Sequence, residues 1–402
     1  MSRPPNTTIL LSNLPKDVSH WLMGIDTQFF NLNQVLKGIK TIPSGIHFLH
    51  YSIPSGSPSP EGDSNDIISS SLRYGFWFEC RNEDVFVMKW DDSQESMALL
   101  KLLSDEEEEQ LNNTKYINEI GDKYKMMIEY PESSNWKNNL ISNVDYEIIE
   151  EFLPNNNQMG ISGIINTMMP SREENMILLD VLKEKKNQAF EDQTNKEFKY
   201  TIIQFKKKSN THDVEQTTKD YLDKTWYFEE LYGNDTEMFL GELQLSFLNF
   251  ILLGNFSSGL QWCNLLKLVS MCRNFMVLHH NFTNNFITVL LKQCQILPPT
   301  YLIGENGIPD TSIIDFKSYI AIMENLSSNI FTNELWNNKG CCGKMKLSGM
   351  ILQKWTDIKI THKTQFGIDL NQLTSPPMKD GYEVYDIENH DDNDEDAPAI
   401  VY

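Results

Sequence analysis

Positive charge is scarce in this chain. Its 34 Lys and Arg stand against 56 Asp and Glu, a formal net charge of −22, whereas a grip on a phosphate backbone is built from clustered cations. Direct nucleic-acid binding is not expected, and the partners to expect are proteins with basic surfaces. Cysteine is scarce too. Cys80, Cys263, Cys272, Cys294, Cys341 and Cys342 form no paired short-spacing framework, and most lie within apolar patterns, as free thiols in a reducing compartment do.

Long apolar runs are also lacking. The opening "MSRPPNTTILLSNLPKDVSH" offers only Ile9, Leu10 and Leu11 as an apolar run, too short for a signal-peptide core, so no secretion signal is expected. The run from Phe239 to Leu253 carries Glu242 and falls short of the roughly 20 apolar residues that a membrane span needs. No membrane partner is expected.

Catalytic constellations are missing as well. The sequence holds no Gly-rich phosphate loop, no serine nucleophile elbow and no paired cysteine spacing for zinc. His47 and His50 in "HFLH" lie three apart on a strand pattern, which sends them to opposite faces. His279 and His280 are adjacent on a helical pattern and diverge by about 100°. Cys341 and Cys342 have no second pair nearby, and the acidic run Asp105 to Glu109 reads as a solvated face. No catalytic residue, metal ligand or cofactor is expected, and the chain reads as a non-enzyme.

What is present is material for cores: 40% hydrophobic residues, with 21 Phe, 15 Tyr and 8 Trp among 402. That length favours two domains over one. From about residue 24 to 130 the pattern alternates with period two, as half-buried strands do. In "SGIHFLHYSI", Ile46, Phe48 and His50 share one face and His47, Leu49 and Tyr51 the other. "RYGFWFEC" and "DVFVMKW", separated by "RNED", read as a β-hairpin, and a helical stretch near Asp145 to Leu153 closes the β-rich part. "LKEKKNQAFEDQTNKEFK", Leu182 to Lys199, reads as a linker or solvated helix, and "YTIIQFKKK" as a strand entering the second domain.

Helical spacing dominates from Tyr221 to about Phe331. In "NDTEMFLGELQLSFLNFILL", Asn234 with Glu237 forms an N-cap signature. Glu242, Ser246 and Asn249 make one narrow polar stripe on an otherwise apolar cylinder, the pattern of a central buried helix. Trp262, Leu265, Leu266, Val269 and Cys272 form the inner face of the next helix, and further helices follow near Thr283 to Leu297 and Thr311 to Leu326. Between the first two, Gly254 is placed to end one helix in the left-handed conformation. Ser258 with Gln261 then reads as a capping box opening the other.

The expected architecture is α+β: a β-rich, sandwich-like domain over residues 1–160, a linker over 161–198, an all-α bundle over 199–365 and an acidic tail over 366–402. The tail runs through "DIENHDDNDED" to "APAIVY", so Ala399, Ile400, Val401 and Tyr402 end an acidic tether suited to adding an extended strand to another protein's sheet edge.

Three blocks, "GIKTIPSGIHFLHY", "RYGFWFEC" and above all "GELQLSFLNFILLGNFSSGLQW", resemble the A1 cistron-splicing factor family, assembly chaperones of the U5 small nuclear ribonucleoprotein (snRNP). The resemblance spans both domains. It implies a VHS-like helical domain and no catalytic activity. It also implies, as partner, the large U5 scaffold protein of the U5 snRNP precursor, held through its RNase H-like and Jab/MPN-like domains, which keeps the U5 RNA helicase off until assembly is complete. Residues Ser55 to Ser70 and Lys183 to Lys199 depart from the family as insertions. A monomer found in cytoplasm and nucleus is expected. Gln261 and Trp262 join Ala399 to Tyr402 as candidate partner contacts. Ser258 and its neighbour Ser257 are candidate phosphorylation sites, because a phosphate adds about −1.5 to −2 charge at a helix start and would be costly at a desolvated interface. The competing reading is a VHS-like trafficking adaptor that binds short peptide motifs.

Overall fold

The computed structural model describes residues 6–18, 20–54, 72–102, 107–131, 136–156, 158–184, 196–205, 214–307, 311–330 and 342–371. Among the described residues, ten strands form the N-terminal half: β1 (Thr7–Ser12), β2 (Leu22–Ile25), β3 (Gln28–Asn31), β4 (Gly38–Ile42), β5 (Gly45–Ile53), β6 (Leu72–Cys80), β7 (Val85–Asp91), β8 (Ser96–Lys101), β9 (Ile128–Glu129) and β10 (Ile165–Asn166). They build two five-stranded sheets, ordered β8-β7-β1-β4-β9 and β10-β6-β5-β2-β3. Ile9, Leu11, Met23, Ile25, Leu49, Tyr51, Phe76, Phe78, Phe86 and Met88 from both sheets share one buried core, so the expected β-rich part followed by a helical part is what the chain forms.

The hairpin expected between β6 and β7 does not form. The two strands belong to different sheets, β6 pairing with β5 and β10, and β7 pairing with β1 in parallel and β8 antiparallel. "RNED" is therefore a crossover, tightened where Arg81 N–H donates to Asp84 Oδ2 at 2.7 Å. The physical reason lies in β7, where Val85, Phe86, Val87 and Met88 are all fully buried. A strand covered on both faces belongs in the middle of a sheet. Its outer face, with Leu10 and Leu102, packs under Ile120 of helix α1 (Glu107–Lys123).

The second sheet is covered in the same way. Ile46, Phe48 and Trp77 leave the sandwich core and join the core of the helical half, following the alternation read from β5. Helix α2 (Tyr146–Phe152) begins at Asp145, whose side chain accepts from Ile148 N–H. Helix α3 (Arg172–Glu184) follows β10. Residues 200–205 are not a strand: Thr201 N–H donates to the Glu242 carboxylate at 2.8 Å, and Gln204 N–H to the Tyr227 hydroxyl at 2.8 Å, so side chains take the place of a ladder.

The helical half comprises α4 (Val214–Leu222), α5 (Thr225–Tyr232), α6 (Thr236–Leu253), α7 (Phe256–Ser270), α8 (Arg273–Leu278), α9 (His280–Ile296), α10 (Pro299–Ile303), α11 (Phe316–Ile330) and α12 (Cys342–Thr361). Helix α6 is its axis. By length and composition it is apolar enough to cross a membrane, yet 78% of it is buried inside this protein. Its N-cap is Asp235, whose side chain accepts from Met238 N–H. The Asn234 expectation is thus one residue early, because Asn and Asp compete for the same role in "NDTE". Glu242, Ser246 and Asn249 are all fully buried, which makes the polar stripe an internal seam.

Candidate functional site

The stretch "LLGNFSSGLQW" is where the two halves meet. Helix α6 stops at Gly254, which adopts φ 66° and ψ 28°, a conformation that any side chain would penalise. The last carbonyls of α6 are then claimed by the β half: Thr167 Oγ1 donates to Leu253 O at 2.7 Å and Arg73 Nη1 to Leu252 O at 3.2 Å. A guanidinium here also opposes the negative end of the helix dipole.

Helix α7 opens differently from the capping box expected at Ser258 and Gln261. Asn255 is the cap, its side chain accepting from Ser258 N–H at 2.8 Å, so Ser258 lies inside the first turn. The amide of Asn255 also reaches across, donating to Thr167 O at 3.0 Å and Met169 O at 2.9 Å. One side chain therefore starts a helix and pins the segment after β10. Both Asn-x-x-Ser and Ser-x-x-Gln fit the local rule, and the tertiary partners of Asn255 decide between them. Four residues on, Gly259 lets α7 close onto Phe250, where a Cβ would come within 2.7 Å of the ring.

Ser258 is fully buried and belongs to a directional relay. Trp77 Nε1 donates to Asn249 Oδ1 at 2.9 Å, Asn249 Nδ2 to the Tyr200 hydroxyl at 3.0 Å, and Ser258 Oγ, which shares a 2.9 Å bond with that hydroxyl, donates to Asn255 Oδ1 at 2.8 Å. With Tyr200 donating to Ser258, every hydroxyl in the line both donates and accepts, so sheet, central helix and turn form one satisfied network. Burial pushes the Tyr200 phenol well above its ordinary range, which keeps its proton in the relay.

Gln261 and Trp262 point inward as well. Gln261 Nε2 donates to Thr201 O at 2.9 Å and to Glu242 Oε1 at 2.8 Å, and Trp262 Nε1 donates to Gln293 Oε1 at 2.9 Å. Glu242 is the hub of this second cluster, also accepting from Thr201 Oγ1 and the Tyr232 hydroxyl, each at 2.8 Å. Burial raises its pKa above the carboxylate value of 4.5. Ser257 differs from the other candidate residues: it is only half-buried, and its hydroxyl donates to Glu174 Oε2 at 2.6 Å. That carboxylate simultaneously accepts from Ser171 N–H at 2.7 Å, while Glu174 N–H donates to Ser171 Oγ at 3.3 Å. The working capping box of the region is therefore Ser171 with Glu174, legible in "SREE" before an apolar run.

Ala399, Ile400, Val401 and Tyr402 lie outside the described residues, as does Cys341. Among the described residues no group of three or more His, Cys, Asp or Glu side chains is arranged to hold a metal. His47 and His50 take opposite faces of β5 yet both meet Asp26, His47 Nδ1 at its carboxylate (2.8 Å) and His50 Nε2 at its backbone carbonyl (3.0 Å). Cys80, Cys272 and Cys294 are buried free thiols. A cleft of about 260 Å³ between α2 and residues 154–162 is lined by Tyr146, Glu150, Asn155 and Met159.

Comparison with known proteins agrees with this architecture. Residues 5–154 match the family profile described as the AAR2 N-terminal domain, and residues 200–371 the AAR2 C-terminal repeat region. The chain is 29% identical over 314 residues to the A1 cistron-splicing factor AAR2 of Saccharomyces cerevisiae, covering 73% of this chain and 78% of that one. It is 22% identical over 341 residues to the AAR2 homolog of Homo sapiens, covering 78% and 83%. The AAR2 homolog of Caenorhabditis elegans is 21% identical over 300 residues, covering 70% and 77%. With both halves matched and the block around Gly254 central to one of them, the chain belongs to the AAR2 family.

Proposed function

We propose that this chain is a non-enzymatic assembly factor of the splicing machinery, which occupies the large U5 snRNP scaffold protein through its RNase H-like and Jab/MPN-like domains and keeps the U5 RNA helicase off the precursor particle. The observation that carries the reading is membership of a family whose yeast relative is named an A1 cistron-splicing factor. The net charge of −22 supports a basic protein surface as the target. The tail ending in Ala399 to Tyr402 supplies an added strand, and the factor works in both cytoplasm and nucleus.

Release by phosphorylation is the second part of the proposal, with the two serines in different roles. Ser258 is sealed in the relay, so a kinase reaches it only when the turn opens. Ser257 is accessible, and a phosphate there brings about −1.5 to −2 charge against the Glu174 carboxylate that accepts its hydroxyl. Repulsion at that point loosens the start of α3 and the partner surface around it.

Size-exclusion of the purified chain with a purified scaffold fragment carrying both domains tests the reading. A stable complex is expected, with an interface above about 1,000 Å²; two separate peaks at micromolar concentration would overturn it. Ser257→Glu should elute apart from the fragment while Ser257→Ala stays bound, and equal retention of both ends the release idea.

A further inference from the structure

Among the described residues, helix α3 carries apolar side chains that are left largely uncovered. Met176, Ile177 and Leu178 are 51%, 54% and 44% exposed, and Val181 one turn later is also exposed. Three consecutive residues step around a helix by about 100° each, so apolar surface faces water over roughly 200° of its circumference. A helix lying flat on a body exposes one stripe; this turn projects. An isolated apolar turn has little stability of its own in water, and apolar patches of this kind mark interaction surfaces.

Side-chain contacts extend the ridge to the helix turn. Ser257 donates to Glu174, one turn before Ile177 and Leu178 on α3. On the other side of that bond, exposed Phe256 and Leu260 share one face of α7 at i and i+4. Exposed Met168 lies between Thr167 and Met169, two of the three residues whose carbonyls Asn255 holds.

We infer that the projecting turn of α3, together with Phe256 and Leu260, inserts into a concave apolar groove of a folded partner protein whose rim carries Lys and Arg. The shape follows from the 200° arc, since a flat surface covers only one side of a helix. The rim follows from charge: Glu173 and Glu174 sit at the base of the ridge, Asp180 sits along it, and the chain is strongly anionic. The same charge argues against the alternatives. An anionic membrane, a second copy of this chain and the chain's own Asp386 to Asp396 segment would all set negative charge against negative.

The inference rests on the scaffold reading for its probe, the purified fragment carrying the RNase H-like and Jab/MPN-like domains. In hydrogen exchange of the full chain, amides of residues 176–182 are expected to exchange fast alone and at least about tenfold slower in the complex. Ile177→Glu combined with Leu178→Glu should weaken binding by about 10- to 100-fold, with an unchanged melting temperature because both side chains are already half in water. A complex that forms while these amides stay unprotected, or that the double variant forms equally well, overturns this inference and leaves the scaffold reading standing. No complex at all overturns both. Protection in the chain alone that disappears on removing residues 372–402, or that grows with concentration, assigns the ridge to the tail or to a second copy and overturns it as well.

Discussion

The two halves each bury a carboxylate, and they solve the problem in different ways. In the β half Asp26 faces the His47 ring at 2.8 Å and accepts from Phe48 N–H and from the Tyr130 hydroxyl. In the helical half, among the described residues, Glu242 meets neutral donors: the Thr201 amide and hydroxyl, the Tyr232 hydroxyl and the Gln261 amide. One carboxylate has a countercharge and the other has a cage. Removing a charge from water is costly in either setting, but the proton accounting falls in different pH windows.

For His47, burial alone would lower the pKa, and the Asp26 carboxylate outweighs it, raising the value from 6.5 to about 10. The native state then binds a proton that the unfolded chain has released, so this contribution is complete below about pH 6.5 and is lost as pH rises through about 10. For Glu242, burial raises the pKa above 4.5. Its contribution is complete below pH 4.5 and is lost as pH rises through the native value. Both groups therefore weaken the fold with rising pH, Glu242 from the acid side and His47 in the alkaline range.

The largest effect expected from breaking this contrast is at Asp26. Asp26→Asn keeps a residue that tolerates the φ of 56° seen there but strands the buried His47 cation. Urea unfolding at pH 7 should show a loss of about 3 kcal/mol, and the alkaline decline of stability should flatten. Glu242→Gln is milder, because a neutral amide can still take part in the cage. A cost of about 1–2 kcal/mol is expected, with the acid-side slope of unfolding free energy against pH abolished; a slope that persists in this variant would assign it to another group. Smallest is Ser258→Ala, which tests neither charge. It removes one hydroxyl from the relay and leaves the cap at Asn255 in place, so equilibrium unfolding should register about 1 kcal/mol. A loss several times larger would mean that the turn depends on Ser258 rather than on Asn255.

Much of this contrast was legible in part. Polar residues at i, i+4 and i+7 marked Glu242 and Asn249 as a seam on a buried helix, and the alternation along β5 correctly separated His47 from His50. Gly254 announced its helix end by residue type alone, and the helix near Asp145 to Leu153 was placed without its cap being read. What was not legible depended on partners remote in sequence. Asn255 takes the cap from Ser258 because carbonyls some 86 to 89 residues away also need its amide. The β6–β7 hairpin failed because turn chemistry specifies a reversal without saying which sheet receives the next strand. Likewise Tyr200 to Phe205 has a strand-like composition, and the donors along it are claimed by Glu242 and Tyr227 instead. The inward orientation of Gln261 and Trp262 follows from the same seam, since the residues they serve lie on α6, α9 and the 200–205 segment.

Trp77 carries a consequence for anyone who would divide the molecule. Its indole nitrogen lies on a strand of the first half, and the oxygen that satisfies it hangs from the axial helix of the second. A fragment ending before residue 200 would present that nitrogen, along with Ile46 and Phe48, to solvent, and the complementary fragment would bare the far side of Asn249. A lesion in the sheet should therefore be felt at the serine turn, through a shared melting transition.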